Sequence, residues 1–164
     1  IRDSLWSSDP HRSAPVSLVI RPVEQSDVPA MVDIMIAGSM NPWVEDVDNP
    51  DAYWGAVEEM RRQGNEVLVA DDGEVVGVCQ LIMFRHIQFQ GARCAELETV
   101  HVRADRRSQG IGAALLAEAE RRARVAGCYR IQLTSRNERA DAHRFYVREG
   151  YVPTSVGFKK LFGD

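Results

Sequence analysis

The 164 residues (18.4 kDa, 45% hydrophobic, 27% charged) suffice for one globular domain with a sizeable core and exclude a disordered or fibrous chain. A net charge of −4, with no basic stretch interleaved with aromatics, argues against nucleic acid, and the most apolar run, Val75–Phe84, broken by Gly77 and Gln80, is too short for a membrane span. Nothing after Ile1 resembles a secretory leader. Cys79, Cys94 and Cys128 lack CxxC spacing and fit neither a disulfide framework nor a zinc site, so a reduced, cytoplasmic, metal-free protein is expected.

Residues 1–15, rich in Ser and Pro and without periodicity, read as a tail ahead of a domain over 16–164. Ser17–Arg21 is a short strand. Asp27 is placed to cap a helix over Val28–Ser39, whose apolar residues Met31, Ile34 and Met35 recur at helical spacing. Residues 41–51, with two Pro, two Asn and an acidic run, form a loop. A second helix covers Asp51–Arg62 and stops at Gly64. Glu66–Asp71 and Glu74–Phe84 are strands joined at Asp72-Gly73, a hairpin dipeptide. Cys94–Val102 alternates as a third long strand. Gly110–Ala126 is amphipathic, with Ile111, Leu115, Ala119 and Ala123 on one side and Gly127 past its end. Tyr129–Thr134 is a strand, Arg139–Glu149 a helix stopped by Gly150, and Tyr151–Pro153 and Phe158–Phe162 are short strands. Hairpins followed by a β-α-β unit predict an α/β or α+β fold with a mixed sheet.

Charge is unevenly distributed: −10 over residues 1–102, +5 over 103–149 and +1 over the last fifteen. The basic part holds the clearest chemical signal, Thr99–Leu116. A strand ends, an arginine-rich loop follows, and Gly110 and Gly112 open a helix. Glycines admit close backbone approach, unpaired N–H groups and the helix dipole favour an anion, and Arg106 and Arg107 add charge, so a diphosphate fits. Leu115 breaks a G-x-G-x-x-G fingerprint, and no Walker pattern is present.

The segment Arg107-Ser108-Gln109-Gly110-Ile111-Gly112 resembles the acetyl-CoA loop of the GNAT N-acetyltransferase superfamily. Asn137 to Tyr151, with Phe145-Tyr146 and Gly150-Tyr151, is similar to that family's second motif, and Glu96-Leu-Glu98-Thr-Val-His-Val102 looks like its fourth strand. Together the likeness covers about 17–162 and marks a small bacterial-type, single-domain member. It implies a mostly antiparallel sheet of six to seven strands, splayed between the fourth and fifth, with four flanking helices.

The resemblance also implies a site. Acetyl-CoA would be the co-substrate, its pantetheine arm on the backbone of Val100, His101 and Val102 and near Asn137. Arg107, Ser108, Gln109, Gly110, Ile111, Gly112 and Ala113 would cradle the pyrophosphate. A backbone N–H at a strand bulge would polarise the thioester carbonyl. Tyr146 matches the position that protonates the departing thiolate, with half-buried packing as its other reading. Glu96 and Glu98 are rival general bases for the attacking amine, Glu98 slightly ahead, and either could simply hold the ammonium. By simple strand alternation His101 points away from Glu98 and receives no catalytic role. Trp43 and the acids of 45–48 suit an ammonium by charge and cation–π contact.

The expected activity is therefore acetyl transfer to a primary amine of a small molecule or peptide, by direct attack in a ternary complex. The alternatives are a non-catalytic acyl-CoA sensor and a protein- or hydroxyl-directed transferase. A homodimer is left open.

Overall fold

The computed structural model describes residues 17–39 and 44–162. The expected tail over 1–15 and Trp43 lie outside them. Five strands form the sheet, in spatial order equal to chain order: β1 (Val19–Pro22), β2 (Glu66–Asp71), β3 (Val75–Arg85), β4 (Arg93–Val102) and β5 (Cys128–Leu133). The first three junctions are antiparallel and β4–β5 is parallel. A parallel neighbour needs a crossover, and the helix α3 (Ile111–Val125) supplies it. Helices α1 (Val28–Gly38) and α2 (Pro50–Arg62) precede β2, and α4 (Ala140–Arg148) follows β5.

Both faces of the sheet are covered, and strand alternation decides which residue goes where. Leu68 and Ala70 of β2 pack with Leu115, Leu116 and Ala119 of α3, whereas Val67 and Val69 pack with Met31, Val32 and Ile34 of α1. The predicted apolar stripe of α3 is buried: Ile111, Leu115, Ala119 and Ala123 are at most 3% exposed. The hairpin turns as predicted, with Gly73 at φ 100° and its N–H donated to the Asp71 carboxylate at 2.9 Å.

Three local expectations change. Asp27 precedes α1, but its carboxylate turns backward, accepting the Glu24 N–H at 2.7 Å and the fork of Arg21 at 2.6 and 3.0 Å. A cation outweighs a cap here. Tyr151–Pro153 and Phe158–Phe162 are not strands, so the described sheet has five strands rather than six or seven. Val152, Val156, Phe158, Leu161 and Phe162 are 73–93% exposed, and short alternation without a surface to pack against does not hold a strand. The third change is a bulge in β4, and it reshapes the site.

Candidate active site

Glu98 pairs with Gln80 and His101 with Val78, so Thr99 and Val100 face the single residue Cys79. This is a β-bulge, and Thr99 takes the left-handed φ of 53° that the extra residue demands. The bulge inverts the alternation beyond it. Ala95 and Leu97 before it, and Val100 and Val102 after it, all pack toward α3. His101 therefore turns to the α1 face, where Gln80, the partner of Glu98, reaches Met60 of α2. Its ring lies against Gly38: a Cβ there would fall 2.2 Å from Nδ1, so glycine is obligatory for this packing. The expectation that His101 points away from Glu98 is thereby corrected. Strict period-two counting fails wherever a strand holds an extra residue.

The strands part just here. The last β4–β5 pair is Leu97↔Leu133, while β4 runs on to Val102. On the β5 side, the main chain of Val100, His101 and Val102 has no strand partner, leaving a slot for an extended ligand.

The two glutamates are unequal. Glu96 accepts a hydrogen bond from Gln132 of β5 at 3.1 Å. Glu98 accepts none among the described residues. Burial pushes its carboxyl above the ordinary range, the Glu96 charge adds to this, and Lys159 opposes it. The ring of Tyr146, on α4, lies tilted against Phe145 (centroids 5.2 Å apart) and edge-on to Tyr151 (6.0 Å). Burial raises its phenol pKa; Arg139 acts against this, while Cys79 and Glu98 are near enough to add to it. The Glu98 charge thus acts on the Tyr146 phenol. Burial also keeps His101 neutral, helped by Arg139 and Arg107 and opposed by Glu45.

Glu45 accepts the Tyr53 hydroxyl at 2.9 Å, while that oxygen receives the Asp46 N–H at 2.8 Å, so α2 holds the acidic loop. Asp46 in turn accepts the Asp48 N–H at 3.0 Å, a structural use of its carboxylate.

The loop before α3 keeps the glycines and arginines that the sequence marks for an anion, with its charge distributed differently than expected. Gly110 caps the helix at φ 82°, with open space where a side chain would stand, and Ser108 has φ 60°. Gly112 serves another purpose: a Cβ there would sit 3.1 Å from Phe145 Cζ, so it lets α4 approach α3. Ile111 is buried and can offer only its backbone, and Ala113 is half-buried on the first turn. Arg106 is committed to Asp72 and to the Gln109 side chain, which also bonds the Asp105 carbonyl. Arg103 is committed to Glu74 and Asp105. Arg107 donates to the Val102 carbonyl at 3.3 Å and has no ion-pair partner among the described residues. Asn137 stands exposed in the turn before α4. The hollow between α3 and β5 lined by Glu120, Arg124, Cys128 and Tyr129 is at the opposite end of α3 from this chemistry.

Among the described residues no group of three His, Cys, Asp or Glu could hold a metal, and no helix is long and apolar enough to cross a membrane. Sequence reasoning missed Gly38 and the orientation of His101. The Thr-Val pair between Glu98 and His101 carries no bulge signal of its own.

Known proteins resemble this chain in sequence and fold. The chain is 41% identical over 93 residues to an aminoalkylphosphonate N-acetyltransferase of Salmonella typhimurium, covering 57% of this chain and 60% of that protein. It is 33% identical over 122 residues to an L-methionine sulfoximine/L-methionine sulfone acetyltransferase of Pseudomonas paraeruginosa, covering 70% and 68%. A crystal structure described as a transcriptional regulator from Bacillus halodurans C-125 superposes with a TM-score of 0.83 at 33% identity, over 89% of this chain and all of that one. The profile of the Acetyltransferase (GNAT) family matches residues 29–151, spanning β4, the anion loop and α4, and the chain belongs to that family.

Proposed function

We propose that the protein is an acetyl-CoA-dependent N-acetyltransferase that acylates the primary amine of a small molecule by direct attack in a ternary complex. The observation that carries this reading is the parting of β4 and β5 beyond Leu97↔Leu133, with Glu98 on the parting strand, beside a helix N-terminus whose Gly110 is open and whose Arg107 has no ion-pair partner among the described residues. In this reading the first-turn N–H groups of α3 and Arg107 hold the pyrophosphate, with Ser108, Gln109, Gly110, Ile111, Gly112 and Ala113 supplying backbone. The open edge of β4 holds the pantetheine, and an N–H of the bulge polarises the carbonyl.

Glu98, with its raised pKa and no competing hydrogen bond, takes the proton of the ammonium, while Glu96 stays with Gln132. Tyr146, kept protonated by burial, returns a proton to the thiolate as the intermediate collapses. Neither Cys79 nor Cys128 is suited to carry the acetyl group instead. Burial pushes the Cys79 thiol up to about 12 and raises that of Cys128, so neither is a thiolate near neutrality. Glu45 supplies negative charge on the acceptor side. The relatives named for aminoalkylphosphonate and L-methionine sulfoximine acetylation support a small amine as acceptor.

The test is a panel of small amines with acetyl-CoA, read by thiol release. Turnover with at least one amine is expected, with intersecting initial-rate patterns for the two substrates, and none in Gly110→Asp, whose carboxylate stands where the diphosphate must sit. Aspartate tolerates the left-handed backbone at that position, so this variant should fold. Tight acetyl-CoA binding without thiol release across the panel would instead favour the non-catalytic acyl-CoA sensor.

A further inference from the structure

Of twenty basic residues, eighteen are arginine, and only Lys159 and Lys160 carry a side-chain amine. Both lie in the exposed segment after α4, and that segment returns to the site. Its Gly157 passes close to Thr134, the residue following β5: a Cβ on Gly157 would be 3.9 Å from Thr134 Cγ2. In the parallel register Leu133 pairs with Leu97, so Thr134 is level with Glu98. The segment therefore crosses the mouth of the slot, and two residues on Lys159 is near enough for its charge to act on Glu98. Among the charges that act on Glu98, Lys159 is the one lysine, so it is the nearer amine. Beyond Tyr151 no backbone hydrogen bond fixes the described segment, so it can advance into the slot.

We propose that the protein acetylates its own Lys159 in cis, using the seat that serves external amines, an inference that rests on the amine acetyltransferase reading above. The Lys159 ammonium gives a proton to Glu98. The free Nζ attacks the thioester carbonyl of acetyl-CoA, the N–C bond forms, and the C–S bond breaks. The thiolate leaves with a proton from Tyr146, and the acylated nitrogen gives its second proton to the Tyr146 phenolate. Glu98 releases its proton to solvent, and the products are Nε-acetyl-Lys159 and CoA. Arginine cannot replace it in this role, because a guanidinium does not give up its proton near neutrality. The product would lack the positive charge that Lys159 places before Glu98, so the modification also alters the entrance for cationic acceptors.

The experiment is incubation of the full chain with acetyl-CoA alone, followed by peptide mapping by mass spectrometry. Label on Lys159 should exceed that on Lys160 by about tenfold or more, as proximity to the thioester predicts. The rate constant should not vary with protein concentration, and Gly110→Asp should show only the slow labelling of both lysines by free acetyl-CoA. Equal labelling of Lys159 and Lys160, or a rate rising with protein concentration, would overturn the proposal. Turnover of external amines with Lys159 unmodified would overturn it alone. Absence of both acetyl-CoA binding and thiol release would overturn it together with the reading of the site.

Discussion

In the proposed reaction Tyr146 serves the leaving group and Glu45 the acceptor, and single-residue changes separate the two roles. Tyr146→Phe keeps the ring that stacks on Phe145 and Tyr151, so fold and acetyl-CoA affinity should survive. Losing the hydroxyl should lower kcat by roughly 10²-fold, the lower end for a general acid, because water can substitute and CoA is a tolerable leaving group. The acceptor KM should hardly move, since the lost interaction belongs to the transition state. Near-normal kcat in a chemistry-limited reaction would leave Tyr146 a packing residue. Glu45→Gln should act oppositely, raising the acceptor KM about fivefold for a loss of about 1 kcal/mol, with the effect shrinking at high salt. Asp46 and Asp48 are poorer probes, because Asp46 shapes the loop it belongs to. An unchanged KM in Glu45→Gln would make the loop simple surface.

At the scale of elements, Arg21 joins three of them. Its fork donates to Asp27 at the start of α1 and, at 2.8 Å, to Asp71 at the end of β2. Burial raises the Asp27 carboxyl, but Arg21 and the Glu24 N–H outweigh it and hold the pKa below the ordinary value. Asp71 is held low by Arg21 first and then by the Gly73 N–H. A depressed folded-state pKa contributes stability that is fully present above the unfolded carboxylate range near ~4 and is lost as pH falls through the folded value. Denaturant midpoints should therefore drop steeply only below about pH 4, and Asp27→Asn should flatten that dependence while costing roughly 1–3 kcal/mol at neutral pH. An Asp27→Asn protein with the wild-type acid profile would show that the clamp carries no linkage.

Most elements were legible because burial follows period. The α3 stripe, the two-sided β2 and the Asp-Gly turn each carry a local signal that tertiary packing then uses. The bulge at Thr99 was not legible, since it depends on register against β3, and with it went the direction of His101. The commitment of Arg106 to Asp72 and of Gly112 to Phe145 likewise depends on partners far away in the chain. A motif names residues that belong together, whereas packing decides which of them still has charge or space to offer a ligand.

At the scale of the whole molecule, the parallel junction of the described sheet opens beyond Leu97↔Leu133, leaving the edge of β4 from Glu98 to Val102 and the loop before α3 at one end of the sheet, with α1 and α2 on one face and α3 on the other. Placing acetyl-CoA there is the central claim, and amide chemical shifts followed during titration of acetyl-CoA into the isotope-labelled protein test it most directly. Shifts should concentrate in residues 98–102, 107–113 and 134–139 and spare β1, saturating at one ligand per chain, and Gly110→Asp should show none. Saturating shifts centred instead on the hollow of Arg124, Cys128 and Tyr129, with the 107–113 amides unmoved, would contradict it.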